Sequence, residues 1–385
     1  MFHVATDKEI KSGKVTDVYF VRTLEILKAR GINKRVAAEV WTKGFPDEWR
    51  WSVFAGIEEG VELLAGKPVT VNGLKEGTIF QPYEPVLEIE CNYTDFALFE
   101  TALLGFICQA SGIATAAARC RKVAGDKPMV SFGARRMHPA IAPMVERSAF
   151  IGGCDGVAVV KSAEFINEEP VGTMPHALIL VMGDTVEATK AFHEVISKKV
   201  QRVSLIDTFH DEKFAALEVA HALGKDLFAV RLDTPASRRG NFLKIIEEVR
   251  WELDLHGFDQ VKIFVSGNID ENAIRELYLL VDAFGVGTSI SNAPVVDFSL
   301  DIVEVEGKAL SKRGKPSGRK KLLRCPRCFR TKVIPREKIS TCCDCGVEME
   351  SMLLPLIADG KVVGNIPRPQ EIREYVLNQL RHFSL

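Results

Sequence analysis

The opening stretch MFHVATDKEIKSG has no apolar core, so no secretory signal is expected and the protein reads as cytoplasmic. A membrane span is lacking as well. The longest candidate, residues 96–118, is broken by Glu100, Gln109 and Ser111 and reads as a buried helix rich in Ala and Gly. Net charge is nearly absent, with 50 Lys and Arg against 51 Asp and Glu, so no global field recruits nucleic acid or an anionic membrane. No internal repeat is evident. Acidic residues are missing from one segment in particular: residues 308–336 hold twelve Lys and Arg and not one Asp or Glu. A run of that purity either meets phosphate or pairs with an acidic surface elsewhere in the chain. Aromatic residues are scarce within it, Phe329 alone, where a binder of single-stranded nucleic acid would interleave several.

The chain does have length and apolar content. Its 385 residues suit two or three domains, and 46% hydrophobic residues are enough for a sizeable core. Residues 1–126 read as an α/β domain, with helices around 19–29 and 56–64, a strand in RVAAEVWT, several strands in 68–93, and helices filling 94–124. From 127 to 291, six short apolar strands alternate with amphipathic helices: MVSFGAR, GVAVV, VSLIDTF, LFAVRLDT, KIFVSGNI and AFGVGTSI. Strands apolar on both faces and separated by helices mean a parallel sheet, either a (β/α) barrel or a doubly wound sheet. Six strands are too few for a regular barrel. Residues 292–320 carry a strand pair in DIVEVEGKAL and a basic loop, and residues 321–385 carry a cysteine cluster and a last helix, PQEIREYVLNQLRHF.

The nine cysteines fall into two groups. Cys91, Cys108, Cys120 and Cys154 lie in apolar surroundings that suit reduced core thiols. The other five crowd into CPRCFRTKVIPREKISTCCDC. There Cys325 and Cys328 form one C-x-x-C knuckle, and Cys342 and Cys345 the second. Two knuckles across a short strand-like stretch give a tetrahedral thiolate site, a zinc ribbon with iron as the competing metal. Cys343 is the spare, and it can exchange roles with Cys342.

In βα proteins ligands gather at the C-terminal ends of strands. Those ends here carry Arg135 and Arg136, Asp155, Asp207, Arg231 with Asp233, Ser266-Gly267-Asn268, and Gly285-x-Gly287-Thr288. The last two are small-residue loops whose backbone N–H groups suit a phosphate. The carboxylates suit sugar hydroxyls or hydrated Mg²⁺, and the arginines suit a second anion. That inventory points to a phosphorylated sugar. One histidine stands apart, in EEPVGTMPHALILVMGD. Thr173 is expected to cap the helix that follows, with Pro175 and His176 in its first turn.

With these residues assembled, the chain resembles nicotinate phosphoribosyltransferases of the compact archaeal type with a C-terminal zinc ribbon. The resemblance is carried, in order, by TDVYF, SFGARRMHP, GGCDGVAV, VGTMPHAL, LIDTFHDEKFAA, VRLDTPASRRGNF, FVSGNID and AFGVGTSIS. It implies an irregular (β/α) barrel joined to an N-terminal α/β domain that post-barrel strands complete, and a homodimer with shared active sites. It also implies phosphoribosyl transfer from phosphoribosyl pyrophosphate to nicotinate, with Mg²⁺, coupled to ATP through a phosphohistidine at His176. By motif, Phe132 and Tyr19 of a partner subunit would sandwich the pyridine ring, and Arg135, helped by Thr173, would take its carboxylate. Asp155 would sit near the new bond. Asp207, Asp233 and Arg231 would hold the ribose and the Mg²⁺–pyrophosphate end. Gly267, Asn268, Gly287 and Thr288 would cradle the 5-phosphate, with Arg238 and the basic loop around Lys315 as further phosphate contacts.

Within the same fold the alternative is a quinolinate phosphoribosyltransferase, which needs more basic residues for a second carboxylate and lacks both the ribbon and the Gly-Thr-x-x-His turn. Nicotinamide fits Arg135 beside Arg136 poorly. A different class, a zinc-ribbon nucleic-acid binder, rests on the ribbon and the basic run.

Overall fold

The structure, a computed structural model, describes residues 2–339 and 343–385. The chain divides into two compact units, Met1–Thr115 with Pro294–Leu385, and Ala116–Ala293.

The first unit is built on a seven-stranded sheet in the order 308–309, 299–305, 35–41, 87–92, 69–73, 354–358, 361–362. All its pairings are antiparallel, so strands that follow the barrel segment in sequence flank the N-terminal ones on both sides. Strict alternation divides its two faces. Val36, Val40, Val69, Val71, Leu87, Ile89 and Cys91 point into an apolar core with Ile57, Val61 and Leu64 of the helix Ile57–Leu64. The opposite face carries a row of carboxylates, because Glu39 is paired in register with both Glu88 and Asp301. Like charges in facing positions oppose sheet formation unless cations cover them.

The basic segment supplies those cations. Lys312 and Lys315 pair with Asp301, Arg319 with Glu88 and Glu90, Lys320 with Glu39, and Arg336 with Glu88. Lys315 also lies 3.8 Å over the Trp41 ring. Of the two fates that the charge run allowed, it takes the acidic surface. The three-stranded ribbon sheet, 331–335, 320–324 and 350–351, continues directly from this segment. The apolar helix Glu100–Ala124 is an internal element. Leu103, Ile107 and Ala114 on it are buried, and its Ser111 and Thr115 hydroxyls accept the backbone N–H groups of Ala55 and Val53.

The second unit is a six-stranded parallel sheet in the order 156–157, 129–131, 283–286, 262–265, 229–232, 203–205. These are the six apolar runs of the sequence. The sheet does not close: among the described residues no ladder joins Gly156–Val157 to Val203–Leu205. The chain between them forms the helices Val160–Ile166, His176–Met182 and Thr185–Val195.

Candidate active site

The carboxyl ends of the parallel strands surround a cavity of about 470 Å³. Its lining includes Phe132, Arg135, Thr173, Arg231, Asp233, Gly267, Asn268, Gly287 and Thr288, all expected there, together with Arg136, Glu146 and Ser266. Arg135 and Arg136 stand on the one-turn helix Ala134–Arg136 just past the first strand, exposed and without a carboxylate partner among the described residues. Phe132 owes its place to a glycine. A Cβ on Gly285 would come within 2.6 Å of the Phe132 ring, so the first glycine of Gly-Val-Gly makes room for an aromatic wall. Gly285 and Gly287 both line the cavity.

Arg231 is the hinge of the polar wall. It donates to Ser266 Oγ (2.9 Å) and Thr173 Oγ1 (2.7 Å), and its guanidinium lies 5.1 Å from the Phe132 ring centre. Ser266 Oγ in turn donates to Asp233 Oδ1 at 2.8 Å. Burial lowers the Arg231 pKa, while Asp233 and Asp207 pull against that. Thr173 therefore holds Arg231 and caps nothing: the helix begins at His176, with Pro175 in the cap position and no side-chain cap bond.

His176 joins this wall through two carboxylates. Its Nε2 lies 3.7 Å from Asp207 Oδ2 and 3.7 Å from Asp233 Oδ2, and its Nδ1 is 3.0 Å from Thr208 Oγ1. Asp207 has a side chain only 1% exposed, and neither carboxylate oxygen accepts a hydrogen bond from another described residue. Burial raises its pKa, and the His176 ring opposes the shift. A buried, unsatisfied carboxylate beside a second one is costly for folding and suits a hard cation or a developing positive charge.

Four expected positions lie elsewhere. Asp155 precedes its strand, at the amino end of Gly156–Val157, where it pairs with buried Arg121 and accepts the Met129 N–H at 2.8 Å. Arg121 also binds the carbonyls of Gly153, Gly125 and Lys127, so the pair ties strand entrances together on the face away from the cavity. A polar residue beside an apolar run does not reveal at which end of the strand it sits. Arg238 is exposed on the short helix Ala236–Arg239 and outside the cavity lining, whereas its neighbour Arg239 turns inward. Lys315 is 5% exposed and committed to Asp301 in the first unit. Tyr19, also in the first unit, is 56% exposed on the helix Val18–Ala29. Sequence reasoning missed Glu146, whose buried carboxylate accepts the N–H groups of Ala158 (3.1 Å) and Val159 (2.9 Å) on the cavity rim. A glutamate inside an amphipathic helix carries no signal of that role.

In the ribbon, Cys325, Cys328, Cys343 and Cys345 bring their sulfurs within 4.8 Å of one another. The separations of 3.5, 3.4 and 3.9 Å for three of the pairs match the roughly 3.8 Å edge of a tetrahedron with 2.3 Å metal–sulfur bonds. The cluster can hold a metal ion such as zinc. Cys343 belongs to this set, and Cys342, the other expected ligand, lies outside the described residues.

Comparison with known proteins agrees with this architecture. Two family models match, quinolinate phosphoribosyl transferase N-terminal domain over residues 17–111 and C-terminal domain over residues 113–301. The crystal structure of nicotinate-nucleotide pyrophosphorylase from Pyrococcus furiosus is 57% identical, with a TM-score of 0.98 over 100% of this chain and 99% of that one. The nicotinate phosphoribosyltransferase pncB1 of Mycobacterium tuberculosis is 29% identical, covering 83% of this chain and 79% of its own length. The Bacillus subtilis nicotinate phosphoribosyltransferase is also 29% identical, covering 76% and 67%. Human nicotinic acid phosphoribosyltransferase, 19% identical with a TM-score of 0.77 over 96% of this chain and 94% of that one, shares the fold. The chain is a pentosyltransferase of the nicotinate phosphoribosyltransferase family, built on quinolinate phosphoribosyltransferase-type domains.

Proposed function

We propose that the cavity transfers the phosphoribosyl group of phosphoribosyl pyrophosphate to nicotinate, forming nicotinate mononucleotide in cytoplasmic NAD salvage. The carrying observation is the sorting of charge at the strand ends: Arg135 and Arg136, without carboxylate partners among the described residues, line one cavity with Phe132, Asp233 and the small-residue loops, and the His176 ring lies 3.7 Å from both Asp233 and the buried Asp207. Nicotinate N1 bonds to the anomeric carbon as the bond to pyrophosphate breaks, and pyrophosphate leaves with the electron pair. Positive charge grows on the ribosyl centre, so two carboxylates held ready beside it lower the barrier by electrostatics. Arg135 takes the nicotinate carboxylate, with Phe132 on one ring face and Tyr19 of a second copy on the other. Gly267, Asn268, Gly287 and Thr288 receive the 5-phosphate. Mg²⁺ arriving with the substrate neutralises the pyrophosphate, and the oxygen donors of Asp207 and Asp233 suit it. Zinc in the ribbon is structural.

His176 is the proposed acceptor of the ATP γ-phosphoryl group. Support comes from its partial exposure, two facing carboxylates and a hydroxyl on the other ring nitrogen. The seven-residue helix that it begins contributes little dipole, so the aspartates and Arg231 carry the electrostatics. The test is turnover with nicotinate, nicotinamide and quinolinate in parallel, with phosphoribosyl pyrophosphate and Mg²⁺, with and without γ-labelled ATP. Nicotinate alone should react, and His176→Ala should lose an acid-labile, base-stable label while keeping basal transfer. Turnover of quinolinate instead would overturn the substrate assignment. Label that persists in His176→Ala would overturn the acceptor.

A further inference from the structure

Arg239 is not among the residues that line the cavity, yet its guanidinium holds three backbone carbonyls at the strand ends. Its Nε donates to the Thr234 carbonyl at 3.0 Å, and Nη2 donates to the carbonyls of Ser266 (3.2 Å) and Gly267 (2.7 Å). The guanidinium lies 4.0 Å from the Phe242 ring centre, which fixes its plane. A trans peptide points its N–H opposite its C=O. Holding the Ser266 and Gly267 carbonyls therefore turns the N–H groups of Gly267 and Asn268 the other way. Both residues are left-handed, at φ 77° and 51°, a backbone state that glycine and asparagine tolerate better than other residues. The loop has no slack: a Cβ on Gly267 would fall 2.9 Å from Asp233 Oδ1 and 3.3 Å from Arg239 Nη2.

We infer that Arg239 is the positioning residue of the phosphate cradle, clamping three carbonyls so that the Gly267 and Asn268 N–H groups face the anion. It acts through the backbone and carries specificity for the phosphate end of the substrate. The inference rests on the cavity's accepting a phosphorylated sugar. Lysine offers one compact donor head where the planar guanidinium spans three acceptors, so Arg239→Lys preserves charge and loses the clamp. The experiment is calorimetry with ribose 5-phosphate, joined to steady-state kinetics, on the wild type, Arg239→Lys and Gly267→Ala. Wild-type protein should bind ribose 5-phosphate. Both variants should weaken that binding by about tenfold or more and raise KM for phosphoribosyl pyrophosphate, with KM for nicotinate close to wild type, and Arg239→Lys should also keep the melting temperature close to wild type. Failure of the wild type to bind would sink the phosphosugar reading itself. Wild-type binding with Arg239→Lys binding equally well, or with both KM values rising together, would refute the clamp alone.

Discussion

Charge is concentrated in two places in this molecule, and the two are built on opposite rules. In the first unit, Glu39, Glu88 and Asp301 line up across three strands, all 2–3% exposed, and each is met by Lys or Arg of the returning basic segment. In the second unit, Asp207 is just as buried and meets no donor, while Arg135 and Arg136 meet no carboxylate among the described residues. Buried charges that find each other are part of the architecture. A buried carboxylate left open, as at Asp207, is costly for folding, and with the exposed, unpaired arginines it marks the place where a ligand completes the pairing.

The comparison can be broken from either side. The largest effect should come from the open charges. Asp233→Asn is expected to lower kcat by about 10²- to 10³-fold with the fold intact, the usual scale for one preorganised electrostatic group. Asp207→Asn should lower kcat in the same direction and raise Tm near neutral pH, because burial disfavours its ionised form. Near-wild-type turnover, read beside the melting curve, would place these carboxylates with the structural ones. Arg135→Ala should raise KM for nicotinate by roughly 2–4 kcal/mol while KM for phosphoribosyl pyrophosphate stays put. Equal rises would mean that Arg135 supports the fold.

Breaking the paired side should do the reverse. Burial pulls the Glu88 pKa up, and Arg319 and Arg336 more than offset this, holding it below the ordinary carboxylate range. Arg319→Ala leaves Glu88 with Arg336 and the Asn72 amide and should cost about 2–3 kcal/mol in a urea titration, with kcat unchanged. A drop in kcat at unchanged stability would contradict the division drawn here.

Glu100 sharpens the rule by being an exception within the first unit, a half-buried carboxylate with no ion pair among the described residues. Burial, with Asp301 and Asp17 nearby, raises its pKa from 4.5 to about 7. A raised folded-state pKa stabilises the protein fully below pH 4.5, and that contribution is lost as pH climbs through 7. Glu100→Gln, which mimics the protonated form, should therefore be neutral at pH near 4. At pH near 8 it should gain about 1–2 kcal/mol, after allowance for partial solvent screening. A stability difference independent of pH would show that Glu100 stays ionised throughout.

Much of this was legible along the chain. Six apolar runs separated by amphipathic helices specify six buried parallel strands, because a strand covered on both faces cannot afford polar side chains. Asp207, Asp233, Gly267 and Gly287 could be picked out because each follows such a run, whereas Phe132 came only with the family resemblance. Asp155 precedes its strand, which an apolar run does not show, and Arg238, implied only by the resemblance, lies exposed where a helical step of about 100° turns Arg239 inward instead. Thr208 and Glu146 carried no such signal, because their hydrogen bonds join residues 12 to 32 positions apart.

Periodicity and composition by themselves determined the strand inventory, the thiolate knuckles and the purity of the basic run, since these depend only on a residue and its neighbours. Tertiary structure decided what each charge meets. Nothing local says that the basic run returns to Glu39, Glu88 and Asp301, or that Asp207 is left without a donor beside His176. Electrostatic energy depends on separation in space and on burial, and folding sets both by bringing distant segments together.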